Sequence, residues 1–226
     1  MGQALKVYFR GWIDHPHLAR RITIAVIATI TMGFCVLALK RLNVGTDPFS
    51  AVCLGLAKML GLPLRYVTIG VHAVTLCVVL FVARDMFGFG SLCNIFLVGC
   101  AHDFFEWVIP DLIPRDPEIG LKIALFVPFM ALFILAVSAY VAADLGTSPY
   151  DAAPIIIHRK LKRRWENLPS KAVRIPWDAL FTLVAWLLGV IGFKDEGAFG
   201  WMTVACVVGL GPVIEWVSGK LARFIN

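Results

Sequence analysis

Six runs of 18 to 22 residues with almost no charge, at 22–39, 66–83, 89–110, 123–143, 175–193 and 198–217, constrain this chain more than anything else in it. Each is long enough to cross roughly 30 Å of hydrocarbon as a helix. Hydrophobic residues make up 59% of the 226 positions and charged residues only 16%, so a soluble core of this size cannot absorb the apolar surface. The expectation is an all-α, polytopic membrane protein of six transmembrane helices.

Charge placement orients those helices. With the N-terminus inside, Lys6, Arg10, Arg20, Arg21, Arg84, the seven bases from Arg159 to Arg174, Lys220 and Arg223 fall on one side, 14 of the 21 Lys and Arg. The other side receives Lys40, Arg41, Lys58, Arg65, Arg115, Lys122 and Lys194. That bias makes both termini cytoplasmic. The bases therefore report topology, and a nucleic-acid partner is not expected. Residues 1–21 read as a cytoplasmic amphipathic segment with no cleavage site for a signal peptide after the first run, and 219–226 read as a cytoplasmic tail. Membrane lipids are the expected surroundings, with anionic lipid at Arg159, Lys160, Lys162, Arg163 and Arg164. The six cysteines are scattered through apolar segments without a paired spacing and read as small buried side chains.

The chain is also duplicated. Gly45-Thr46-Asp47-Pro48-Phe49-Ser50-Ala51 returns as Gly146-Thr147-Ser148-Pro149-Tyr150-Asp151-Ala152, each copy just after an apolar run. In order, Leu62-Pro63 then pairs with Leu168-Pro169, Arg65 with Lys171, Val67-Thr68-Ile69 with Val173-Arg174-Ile175, Phe89-Gly90 with Phe199-Gly200, and Glu106-Trp107-Val108 with Glu215-Trp216-Val217. The offset drifts from 101 through 106 to 110 and 109. Each copy, 22–110 and 120–218, holds three runs, and an odd number of crossings inverts the second copy relative to the first. Two inverted three-helix repeats are expected.

In the repeated motif, glycine supplies an unusual backbone shape, Thr46, Asp47, Thr147 or Ser148 can cap a helix, and proline fits the first turn. The segments that follow, 48–60 and 149–159, are too short to cross. They are re-entrant half-helices whose positive N-termini face the interior, or interfacial helices with the motif as a simple cap. Both readings stand at this level.

Ionisable groups inside the runs are few, and each costs about 3 kcal/mol at mid-span. His72 and Asp178 occupy equivalent repeat positions, and a symmetry axis brings equivalent positions toward each other. Asp178 also suits a simpler role, as a carboxylate in the first turn of its helix. His102, Asp103 and Glu106 give one helix a polar face near its end, with Asp103 the deepest carboxylate. Glu106 and Glu215, each followed by Trp, read as interfacial anchors. Opposite Asp103 the second copy has Gly209-Leu210-Gly211-Pro212, a break tolerated at depth only against protein or a wet cavity. No catalytic constellation or phosphate loop is present, and the 102/106 spacing is too common to support a metal. Neither an enzyme nor a cofactor is expected.

The Gly-Thr-Asp-Pro-Phe motif at 45–49, Leu-Gly-Thr-Ser-Pro-Tyr-Asp at 145–151, the stretch Val173-Arg174-Ile175 leading to Asp178, the run from Val98 to Asp103 and Gly209-Leu210-Gly211-Pro212 together make a chain that resembles the bacterial YczE/YitT-like (YczE/YyaS/YitT) membrane proteins. The likeness covers nearly everything after residue 40 and departs at Phe199-Gly200-Trp201. It implies a multi-pass protein of the bacterial inner membrane. The functional expectation is a permease for an anionic or zwitterionic small molecule or ion, bound by Asp103, His72, Asp178, Thr46, Asp47, Thr147, Ser148 and His102. A non-transporting accessory or scaffold protein is the alternative, and assembly as a homo-oligomer is left open.

Overall fold

The computed structural model describes residues 17–82, 86–192 and 199–225. Residues 1–16 with Lys6 and Arg10, as well as Arg84, Lys194 and position 198, lie outside the described residues. Among those described the chain forms eight helices and no strand: α1 (Leu18–Arg41), α2 (Pro48–Leu60), α3 (Leu64–Val82), α4 (Phe89–Val108), α5 (Ile119–Ala142), α6 (Pro149–Lys162), α7 (Lys171–Gly192) and α8 (Trp201–Ile225). Within the described residues each of the six apolar runs lies mostly on a helix. Four helices, α1, α5, α7 (over Lys171–Gly189) and α8, are long and apolar enough to cross a membrane, and a fifth span results if α2 and α3, bent by 119° at their break, count as one. Asn94, His102, Asp103 and Glu106 make α4 more polar than these.

Local chemistry sets the short helices. Asp47 caps α2 by accepting from the Ser50 N–H at 3.1 Å, and Pro48 fills the first turn. At the other end Gly61 takes φ 64°, and the Leu62 N–H returns to the Ala57 carbonyl at 2.9 Å, which stops the helix before Pro63. α6 likewise starts on Pro149 but gets no side-chain hydrogen bond from Ser148. The first halves of both helices are buried, including Pro48, Phe49, Ser50, Pro149 and Tyr150, while Lys58, Met59, Arg159 and Lys160 at their far ends are exposed. Each short helix therefore runs from the interior outward.

α1 is the central element, with Met32 through Leu42 almost wholly buried between α4 and α5. Gly33 permits this, since a Cβ there would lie 2.4 Å from the Val98 carbonyl oxygen of α4. α5, α7 and α8 instead expose large apolar side chains such as Ile123, Leu135, Leu180, Leu183, Val204 and Val208, as suits lipid-facing helices. α2 packs on α7, α3 on α4 and α6, α5 on α8, and α7 on α8. Arg20 donates to the Phe224 carbonyl at 2.9 Å, so the start of α1 and the end of α8 lie together. α8 is helical to Ile225, and α1 begins at Leu18, so helix crosses both of the expected boundaries at 21 and 219.

The two Gly-Thr loops cross over to the opposite half. Gly45 (φ 94°) rests on Gly200, where the Met202 N–H donates to the Val44 carbonyl at 3.2 Å and the Gly200 N–H to Thr203 Oγ1 at 3.3 Å. Gly146 (φ 109°) rests on Gly88, where the Gly90 N–H donates to the Leu145 carbonyl at 2.7 Å and the Gly88 N–H to Ser91 Oγ at 3.1 Å. The two contacts are alike: Gly88 and Ser91 do at the start of α4 what Gly200 and Thr203 do at the start of α8, a spacing of 112 beside the 110 that pairs Phe89-Gly90 with Phe199-Gly200 in the sequence. Phe199-Gly200-Trp201, which departs from the resemblance, holds the loop of the other half.

Candidate functional site

A cavity of about 740 Å³ opens where α1, α2 and α4 end and α3 begins. Its polar wall comprises Lys40, Lys58, Arg65, His102, Asp103 and Glu106, and its apolar wall includes Leu54, Leu188 and Phe199. Every acid in this vestibule has a base beside it. Lys40 pairs with Glu106 at 3.1 Å. Asp103 accepts from the Arg65 backbone N–H at 3.1 Å, faces Arg65 Nη1 at 3.6 Å and lies 3.1 Å from His102 Nδ1. Gly99 lets α4 approach the start of α3 closely enough for this, because a Cβ there would sit 2.7 Å from the Arg65 Cα. Asp103 is thus held by the first turn of α3, where unpaired N–H groups favour an anion.

His102, Asp103 and Glu106 each offer a donor atom within 4.8 Å of the others. Such a trio is a fair metal candidate on composition alone. Here the donors are already engaged: Lys40 holds Glu106, Arg65 holds Asp103, and His102 Nε2 is the remaining nitrogen but has no accessible surface. A divalent ion would have to displace Lys40 and sit beside Arg65, which charge balance disfavours.

Seven residues deeper along α3 than Arg65, His72 is 1% exposed and stacks on Phe49 with ring centroids 4.5 Å apart. Its ring nitrogens lie near Asn94 without a hydrogen bond of normal geometry. Phe49 meets Tyr150 at 5.1 Å, and the Tyr150 hydroxyl donates to Asp178. Phe181 of α7 closes on both rings, 6.5 Å from Phe49 and 4.7 Å from Tyr150. Since Phe49 and Tyr150 are matching residues in the first turns of α2 and α6, the two short helices meet start to start.

His72 and Asp178 therefore do not face each other directly, because the two motif aromatics stand between them. Asp178 is joined instead by Arg174 Nε at 2.9 Å, while Arg174 Nη1 takes Asp151 at 2.7 Å. The helix starts also prove less open to an external anion than the sequence suggests. Asp47 occupies one as its own cap, and Asp151 lies in the first turn of the other, paired with Arg174. Thr46 is fully buried, Ser148 is buried, and Thr147 is engaged through its backbone, its N–H to Met86 and its carbonyl accepting from Ser91 at 2.6 Å. The predicted residues thus divide: Asp103 and His102 line the vestibule, whereas His72, Asp178, Thr46, Asp47, Thr147 and Ser148 surround the helix starts beneath it. Lys40, Lys58, Arg65 and Glu106 were missed as vestibule residues, and Phe49, Tyr150 and Arg174 as central ones. The signal for Phe49 and Tyr150 was present in their matched motif positions.

Residues 19–219 match a family described as a family of unknown function (DUF6198), and the chain belongs to that family. No curated protein and no solved structure matches it.

Proposed function

We propose that this member of the DUF6198 family is a small-solute permease of the bacterial inner membrane, built like the YczE/YitT-like proteins from six spans in two inverted repeats with both termini cytoplasmic. The observation that carries the reading is the exchange symmetry of the packing. Replacing each helix by the one four places on turns the α1–α4 contact into α5–α8, α2–α7 into α6–α3, α3–α4 into α7–α8 and α2–α3 into α6–α7, and leaves α1–α5 as it is; α2 also touches α8, and no comparable α4–α6 contact answers it. The crossed loops at Gly45/Gly200 and Gly146/Gly88 obey the same exchange. In that arrangement α2 and α6 are re-entrant half-helices meeting near the pseudo-two-fold axis, and the charged vestibule leads toward them.

The solute is anionic or zwitterionic. Its acidic group is taken by Arg65 and Lys58, and a basic group is received beside Asp103 and Glu106. The direct test is flux in proteoliposomes with a panel of amino acids and small organic anions. Saturable uptake that Asp103→Asn abolishes supports the reading. A folded protein that moves nothing in the panel and co-purifies with a stable partner overturns it in favour of an accessory role. The exposed bases Arg159, Lys160, Lys162, Arg163 and Arg164 at the end of α6 suit anionic lipid headgroups under either reading.

A further inference from the structure

On α2 and α7 the lining of the vestibule ends at Leu54 and Ala185, about one helical turn short of the aromatic layer of Phe49, Tyr150 and Phe181, and what lies beyond that layer differs in kind. On the far side, Arg174 ties α6 to α7 by reaching Asp151 at 2.7 Å and Asp178 at 2.9 Å, and its guanidinium lies 5.5 Å from the Tyr150 ring centre. The Tyr150 hydroxyl adds a bond to Asp178, which is 3% exposed. Four groups on two helices are thus held in one network.

The first half has the same four positions and none of this chemistry. Offsets of 101 and 106 place Phe49 opposite Tyr150, Ser50 opposite Asp151, Thr68 opposite Arg174 and His72 opposite Asp178. Phe49 lacks the hydroxyl, and Ser50 and Thr68 lack charge. α2 and α3, the counterparts of α6 and α7, are therefore not tied by an ion pair at these positions, and the cavity opens beside them.

From this asymmetry we infer that Arg174, Asp151, Asp178 and Tyr150 form a latch that seals the end of the solute path opposite the vestibule, and that its absence from the first half sets the resting state open on the vestibule side. The inference rests on the permease reading and adds which end is closed and by what. Alternation then requires Arg174 to leave its carboxylates while α2 and α3 close over Arg65 and Asp103. Removing one partner alone would strand the remaining charges in a poorly hydrated place. The informative variant therefore copies the first half at all four positions: Tyr150→Phe, Asp151→Ser, Arg174→Thr and Asp178→His.

Hydrogen exchange on the full chain in nanodiscs tests this without a solute. In the fourfold variant, amides of 149–156 and 171–178 should exchange about tenfold faster while those of 54–60 and 64–68 become about tenfold more protected, the reciprocal change of a two-state shift. Tyr150→Phe alone, which keeps the ring, should move both regions in the same directions by about threefold. Faster exchange at the latch with no gain of protection at the vestibule shows a local anchor and overturns the inference, as does no change in either variant. The two readings separate cleanly: reciprocal exchange without flux sinks the permease and keeps the latch, whereas flux with unchanged exchange does the reverse.

Discussion

Replacing Gly200 by alanine probes the crossed loops where they are tightest. A Cβ at this position would lie 2.2 Å from the Val44 carbonyl oxygen, 2.5 Å from its carbon and 2.8 Å from the Gly45 nitrogen, all backbone atoms that no rotamer change can move. Relief needs a shift of about 1 Å in the loop, since carbon and oxygen do not approach much below 3.2 Å. That shift breaks the Met202 N–H to Val44 bond and presses on Gly45, whose φ of 94° leaves little freedom. Overpacking costs about 1–3 kcal/mol and a lost backbone bond about 1 kcal/mol more, so Gly200→Ala should destabilise by about 2–4 kcal/mol. Gly88→Ala, with a Cβ 2.1 Å from the Leu145 carbonyl oxygen, should cost a similar amount in the other half. Gly70 and Gly209 lie within helices with nothing within 4 Å, and alanine there should be neutral or stabilise by about 0.5–1 kcal/mol. Thermal unfolding in detergent followed by tryptophan fluorescence ranks the four. If Gly200→Ala and Gly88→Ala melt with Gly70→Ala and Gly209→Ala, the loops do not cross as described.

Two further outcomes follow from the end of α1 and its loop. Arg41, 5% exposed, donates to the Pro110 and Ile113 carbonyls and fastens the 109–118 loop over α1, so Arg41→Met should cost about 2–3 kcal/mol in the same melt, and a change under about 0.5 kcal/mol refutes that role. In the same loop a hydrogen bond from Lys122 holds the exposed Asp116 carboxyl below the usual carboxylate range. A group whose folded pKa is depressed contributes while it stays ionised, so this contact persists as pH falls through the normal aspartate range and is lost only below it. A carboxyl titration by NMR with its midpoint at or above about 3.9 contradicts the assignment.

The features that local sequence encodes were legible. Run length and charge-free composition located the helices, and the Gly-Thr-x-Pro motif placed the starts of α2 and α6 at Pro48 and Pro149 because cap and proline chemistry are properties of neighbouring residues. Asp103 stood out as a deep carboxylate, but its Arg65 partner on α3 and the Lys40 partner of Glu106 on α1 depend on how helices pack, so neither pairing was visible in the sequence. The same limit applies at the centre. Repeat alignment matched His72 with Asp178, yet alignment gives equivalence and not distance, and the Phe49 and Tyr150 rings stand between the matched polar residues. The likeness of Gly88 to Gly200 shows only in the loops they pack against, because little but two glycines marks it in the connections before α4 and α8.

The depth of the two helix starts tests the central claim most directly. In a cryo-EM structure in lipid nanodiscs, with the headgroup layers visible, Pro48 and Pro149 should both lie inside the hydrocarbon layer of roughly 30 Å, about 8 Å or more from either headgroup plane. If both lie at headgroup level, α2 and α6 are interfacial helices, and a site between facing half-helices is contradicted.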